Sequence, residues 1–243
     1  AYAKDEAVQA FMARVAADES APASRRTFML DTIEKANLNP LPDGIVQAVG
    51  KSLQSTDETI RYRAATLIGT RKLAQFDDQL LAIADNAAQF PALRLSALGT
   101  TQSRHPELTD ARFAFLLENL AVDADPALRL SASRSLGAAK LTGAQLETLA
   151  SDYLPKADAL TFPSLLEAFK GGTSDSVGRL LVSSLSSAAI TPSMIPGGLD
   201  SLLATYPEPV KQAAAPLRAQ IEAEDKARLE KLAAIEPMIG NGD

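Results

Sequence analysis

The chain has 243 residues, of which 46% are apolar and 22% charged, and a net charge of −6. It can therefore bury a substantial core, but it has no electrostatic basis for gripping nucleic acid or an anionic lipid surface. Without a cysteine it cannot form a disulfide, a Cys-ligated zinc site, an iron–sulfur cluster or a covalent haem link within these residues.

Apolar residues recur at helical spacing in nearly every window, as in Ile60, Ala64, Leu67 and Ile68, and strand-like alternation is absent, so the expected class is all-α. No apolar run reaches the roughly 18 residues that a membrane span needs, and insertion in a bilayer is not expected. Lys4, Asp5, Glu6 and Arg14 interrupt the first segment in an amphipathic pattern, unlike a signal peptide. Helix starts are then expected at Pro22, Pro42-Asp43, Asp57, Asp77-Asp78, Pro91, Thr109-Asp110, Asp125-Pro126, Thr142, Ser174-Asp175 and Pro207. Asp, Ser and Thr oxygens satisfy the free amides of a first helical turn, and Pro has no amide to satisfy. The spacing predicts about 12–13 helices, most of roughly 12 to 16 residues. Gly171-Gly172 and Pro196-Gly197-Gly198 punctuate residues 161–196, where a change of repeat length or curvature is expected. A last helix over about 208–235 carries a thin apolar stripe of Leu217, Ile221, Leu229, Leu232 and Ile235, with the pairs Glu222/Lys226 and Glu224/Arg228 on a solvated face.

Alternate helices repeat. The strings beginning at Asp57, Pro91 and Asp125 share an apolar residue, then Arg, then Ala three residues further on: Ile60-Arg61 with Ala64, Leu93-Arg94 with Ala97, Leu128-Arg129 with Ala132. Arg61 to Arg94 is 33 residues and Arg94 to Arg129 is 35; Arg26 lies 35 before Arg61. Weaker copies follow at Asp175 and Pro207. A period near 34 admits several helical arrays. The Thr-Pro-Leu-His of ankyrin repeats is missing, as is the Trp and Tyr framework of tetratricopeptides, and the Asp-Pro-x-Leu-Arg-x-x-Ala form resembles the second helix of HEAT repeats. That resemblance implies a right-handed α-α superhelix, a solenoid in which each unit buries its apolar face only against its neighbours. The expected organisation is a single domain over 1–243, with regular repeats over about 20–155, irregular ones over about 156–206 and a capping or linker helix over about 207–236.

The search for chemistry returns little. His105, the only histidine, is expected to be a solvent-exposed loop residue, because no Cys can pair with it and no second His can share a metal. Asp77-Asp78 lacks the oxygen-rich loop of a calcium site and is expected to cap and solvate a helix start. The Gly pairs lack the Lys and the strand-turn-helix setting of a phosphate loop, and Gly-x-Ser-x-Gly is absent. No catalytic, metal or cofactor residue is assigned. The most regular polar feature is a ladder of Asp57/Arg61, Arg94, Asp125/Arg129 and Asp175/Arg179. It could serve as a ligand-binding face, or the acids cap while the arginines tie each turn to the stack; the spacing favours the second.

The stretches Leu128–Thr142 and Leu165–Phe169, with Tyr206-Pro207 and the closing Gly240-Asn241-Gly242-Asp243, resemble a family of large exported proteins of planctomycetes and related bacteria. These are membrane-bound dehydrogenases in which HEAT repeats precede a c-type haem domain. The resemblance spans about residues 20–243 and implies a periplasmic or exported location, with any haem in a domain beyond Asp243. The start without Met and the small-residue ending are likewise expected of a segment of a longer protein. Two functional expectations follow: a non-catalytic scaffold or interaction module that binds a protein or neighbouring domain, or an enzyme or small-ligand carrier with its site in a concave groove.

Overall fold

The computed structural model describes residues 4–187, 195 and 197–239, with side chains as far as residue 233. Part of the irregular stretch, residues 188–194 and 196, and the ending 240–243 lie outside the described residues. Among the described residues there are fourteen α-helices and no strand, so the chain is all-helical. None of these helices is long and apolar enough to cross a membrane. All ten helix starts expected from the sequence are occupied, with Asp57, Thr109 and Thr142 as N-caps whose side chains accept from amides of the first turn.

Packing divides the chain into two compact units, residues 1–135 and 136–243. The first holds α1 (Glu6–Ala17), α2 (Ala23–Lys35), α3 (Asp43–Leu53), α4 (Glu58–Thr70), α5 (Asp77–Asp85), α6 (Pro91–Thr101), α7 (Asp110–Glu118) and most of α8 (Pro126–Ala138). Here α1 packs on α2 and α3, α2 on α4, α3 on α4, α4 on α6, and α5 on α6. The apolar periodicity explains the order. Ile60, Ala64, Leu67 and Ile68 of α4 are at most 1% exposed, as are Leu93 and Ala97 of α6; large residues fill the core while alanines let the next helix approach.

Polar links in this unit join residues 33 to 38 apart in the chain. Ser52 Oγ donates to Ala16 O at 3.0 Å, 36 residues away, and Thr70 Oγ1 to Glu34 Oε1 at 2.9 Å, also 36 away. Arg71, just past α4, donates to Ile33 O, Glu34 O and Leu38 O at 3.0, 2.7 and 3.1 Å, and also to Ala36 O. These carbonyls close α2, where a helix leaves its last acceptors unpaired.

The second unit contains α9 (Gly143–Thr148), α10 (Phe162–Glu167), α11 (Asp175–Ser187), α12 (Gly198–Leu203), α13 (Glu208–Ala213) and α14 (Ala215–Ile239). Its helices are mostly shorter than expected. After α9 the chain widens into a π-helical turn, Leu149–Tyr153, and tightens into a 3-10 turn, Leu154–Lys156. Pro155 lacks the amide that a continuing α-helix would need there, and the change of winding accommodates it. The hub is α11, which packs on α9, both of these turns, α13 and α14.

The expected final helix is two helices. Ala214 ends α13, and Pro216, with no amide to bond the preceding turn, starts α14 afresh. On α14, Leu217 is buried while Leu229 and Leu232 are exposed; the side chain of Ile235 lies outside the described residues. Arg228 pairs with Asp225 and not with Glu224, which instead accepts from Gln220 at 3.0 Å. A shorter reach of three residues satisfies the guanidinium.

Tyr206 fills the second unit. Its ring lies over two glycines, and a Cβ at Gly172 or Gly178 would come within 2.2 or 2.6 Å of it. The phenol donates to Phe169 O at 3.0 Å, and burial pushes it up to about 12. Ser184 Oγ, donating to Ala150 O at 2.7 Å and 34 residues away, repeats the role of Ser52. At Gly137 a Cβ would stand 2.0 Å from the backbone oxygen of Ser164, so only glycine permits that approach.

Candidate binding groove

Five of the seven ladder residues, Asp57, Arg61, Arg94, Asp125 and Arg129, lie in the first unit. Asp57 Oδ1 accepts from the amide of Ile60, and Asp125 Oδ1 from Ala127 and Leu128. Arg61 donates to Ser55 O and Thr56 O of the preceding turn at 2.8 and 3.2 Å. Arg94 Nε donates to Ala84 O at 2.8 Å, ten residues back, as Arg26 Nε does to Ala16 O at 3.1 Å. The guanidinium of Arg94 also lies 3.6 Å from the centre of the Phe115 ring, a cation over a π face, and burial lowers its pKa. Arg129 is buried as well. Asp175 and Arg179 depart from the pattern: they form an exposed ion pair at 2.7 Å, and α11 begins with Ser174 Oγ accepting from Val177.

Asp77 differs from its expected role. It is buried, and Arg104 grips it with two 2.6 Å hydrogen bonds; His105 Nε2 stands 3.2 Å from the same carboxylate. The hydrogen bonds from Arg104 hold the Asp77 carboxyl below the usual carboxylate range, against the opposing pull of desolvation. Asp85, at the other end of α5, is held in the same way by Arg112 at 2.8 Å through both oxygens. His105 is in a loop and exposed as expected, but oriented by Asp77. Among the described residues, no group of three or more His, Asp or Glu side chains is placed to hold a metal.

A groove of about 610 Å³ opens on α4, α6 and α8 of the first unit, a size typical of ligand sites. From α4 and its exit come Tyr62, Thr66, Gly69 and Lys72; from α6 and its exit, Leu95, Ser96, Thr100, Ser103 and Arg104; from α8, Leu128, Ser131, Arg134 and Ser135. None of the seven ladder residues lines it. The identical strings Pro91–Ala97 and Pro126–Ala132 explain both facts. In each, the first Ala and the Ser, four apart on one face, turn to the groove as Ala92/Ser96 and Ala127/Ser131, while Leu93, Ala97 and Ala132 are buried in the core. Leu128 is half-buried and lines the groove. The repeated Ser is therefore the sequence signal for the groove, less conspicuous than the repeated Arg two residues before it.

Hydroxyls and cations dominate the polar lining, which contains no carboxylate. Thr66 and Ser131 donate to Tyr62 O and Ala127 O of their own helices at 3.0 and 2.8 Å, leaving only oxygen lone pairs for a ligand. Arg104 is neutralised by Asp77. Lys72 and Arg134 are exposed, and neither side chain has an ion-pair or hydrogen-bond partner among the described residues. No known family, characterised protein or solved structure matches this chain.

Proposed function

We propose that the chain is a non-catalytic helical-repeat module of HEAT-like type, which binds a segment of a partner protein or neighbouring domain along α4, α6 and α8. In the setting the sequence resemblance implies, it would act as a spacer inside a larger exported redox protein. The observation that carries this reading is the groove lined by equivalent positions of successive repeats, Ala92/Ala127 and Ser96/Ser131. The polar links spanning 33 to 38 residues support the repeat architecture: Ser52 to Ala16, Arg71 to the end of α2, Ser184 to Ala150, Tyr206 to Phe169. Such a stack is stiffened by each repeat anchoring the next.

The test is a photo-crosslinking amino acid placed singly at Ser96, at Ser131 and, as a reference, at Lys51 of α3, each probed with a random peptide library. Saturable crosslinks from Ser96 and Ser131 but not from Lys51 are expected. A stoichiometric small molecule carried through purification and occupying the groove would overturn the reading in favour of a ligand carrier.

A further inference from the structure

Resting on that reading, we infer that the groove on α4, α6 and α8 selects an extended acidic peptide segment. Three observations converge. The two uncompensated cations, Lys72 and Arg134, stand on different helices of a lining without carboxylates, in a chain whose net charge is −6. Positive charge concentrated against the sign of the whole molecule marks a local preference.

The backbone at Lys72 adds the second. It closes α4 in the left-handed region, φ 54°, with Leu73 N donating to Ile68 O at 3.0 Å. Glycine ordinarily fills this position, and a side chain there costs about 1 kcal/mol. Lysine stands at this position, and the residue lines the groove.

The hydroxyls supply the third. Thr66 and Ser131 present lone pairs that accept backbone amides, while Ser96 and Ser103, with no hydrogen-bond partner among the described residues, can donate to backbone carbonyls. An extended peptide offers both groups at every residue, with carboxylates to reach Lys72 and Arg134. A long polyanion such as nucleic acid meets the repulsive field of the whole chain and finds a single aromatic ring, Tyr62, to stack upon.

The experiment titrates the chain with three fluorescein-labelled decapeptides by anisotropy: one with four Glu among Ser and Ala, its Gln isostere and its Lys counterpart. Inorganic phosphate and a single-stranded oligonucleotide are run in parallel. The Glu peptide is expected to bind at least tenfold more tightly than the other two. Raising the salt from 50 to 300 mM should weaken its binding several-fold. Lys72→Gln and Arg134→Gln should each weaken it about three- to tenfold at an unchanged melting temperature, and Lys51→Gln should leave it unaltered. If the Gln peptide binds equally well and crosslinks to Ser96, the acidic preference falls and the interaction module stands. If no peptide engages the groove, both fall. Binding of phosphate or the oligonucleotide through Lys72 and Arg134, without the Glu peptide, overturns the inference in favour of that ligand.

Discussion

The two units fasten their helices to earlier ones by different means. In the first, long polar side chains reach across: Arg71 closes α2, and Arg104 and Arg112 grip the two ends of α5. In the second, a backbone approaches closely at Gly137, and one aromatic, Tyr206, packs against Gly172 and Gly178 with its hydroxyl on a carbonyl. Polar reach keeps helices regular and leaves a lined groove between them. Close approach demands glycine and suits the shorter helices of the second unit.

The largest effect should come from the plug. Tyr206→Ala removes a side chain that is 2% exposed and is expected to cost about 3–5 kcal/mol, as large buried truncations do. Hydrogen exchange would report it as lost protection in α11 and α13 with α2 and α4 unchanged. Equal loss across both units would break the comparison.

The next effect is alkaline. The Tyr206 phenol is raised from 10.0 to about 12 because burial favours the neutral form. Its contribution is complete below pH 10 and is lost as the pH rises from 10 toward 12, by about 2–3 kcal/mol. A denaturant midpoint measured across that range should fall in the wild type and fall less in Tyr206→Phe. Identical slopes would remove the phenol from the account.

The smallest is acidic and belongs to the first unit. Asp77 is held below 3.8 by Arg104, so its contribution is present above that value and disappears as the pH falls through the folded one. The loss is on the order of 1 kcal/mol, a charge-assisted pair at a mostly buried site. Asp77→Asn should flatten the acid limb of urea midpoints measured on the α5 and α6 amides. Asp85, half exposed, contributes less to that limb.

Much of the secondary structure was legible because its causes are local. Asp57, Thr109 and Thr142 cap within three residues of themselves, and the core face of α4 is written in the spacing of Ile60, Ala64, Leu67 and Ile68. Asp57, Asp125 and Arg61 likewise bond within six residues of themselves. The split of the last helix at Ala214 was also local, since Pro216 announced it, yet it went unread. Arg71, Tyr206, Ser52 and Ser184 were missed because their partners lie 33 to 38 residues away, and nothing beside them in the chain sets them apart.

By itself, then, the sequence determined an all-helical chain, where most helices begin, and a period near 34 residues. Caps, proline and apolar spacing act within one or two turns. Only the tertiary structure decided the division at Ser135/Leu136, the burial of Asp77 by Arg104, and the assembly of Lys72, Ser96, Ser131 and Arg134 around one groove. Each depends on which helices meet, and that is settled by packing between residues far apart in the chain.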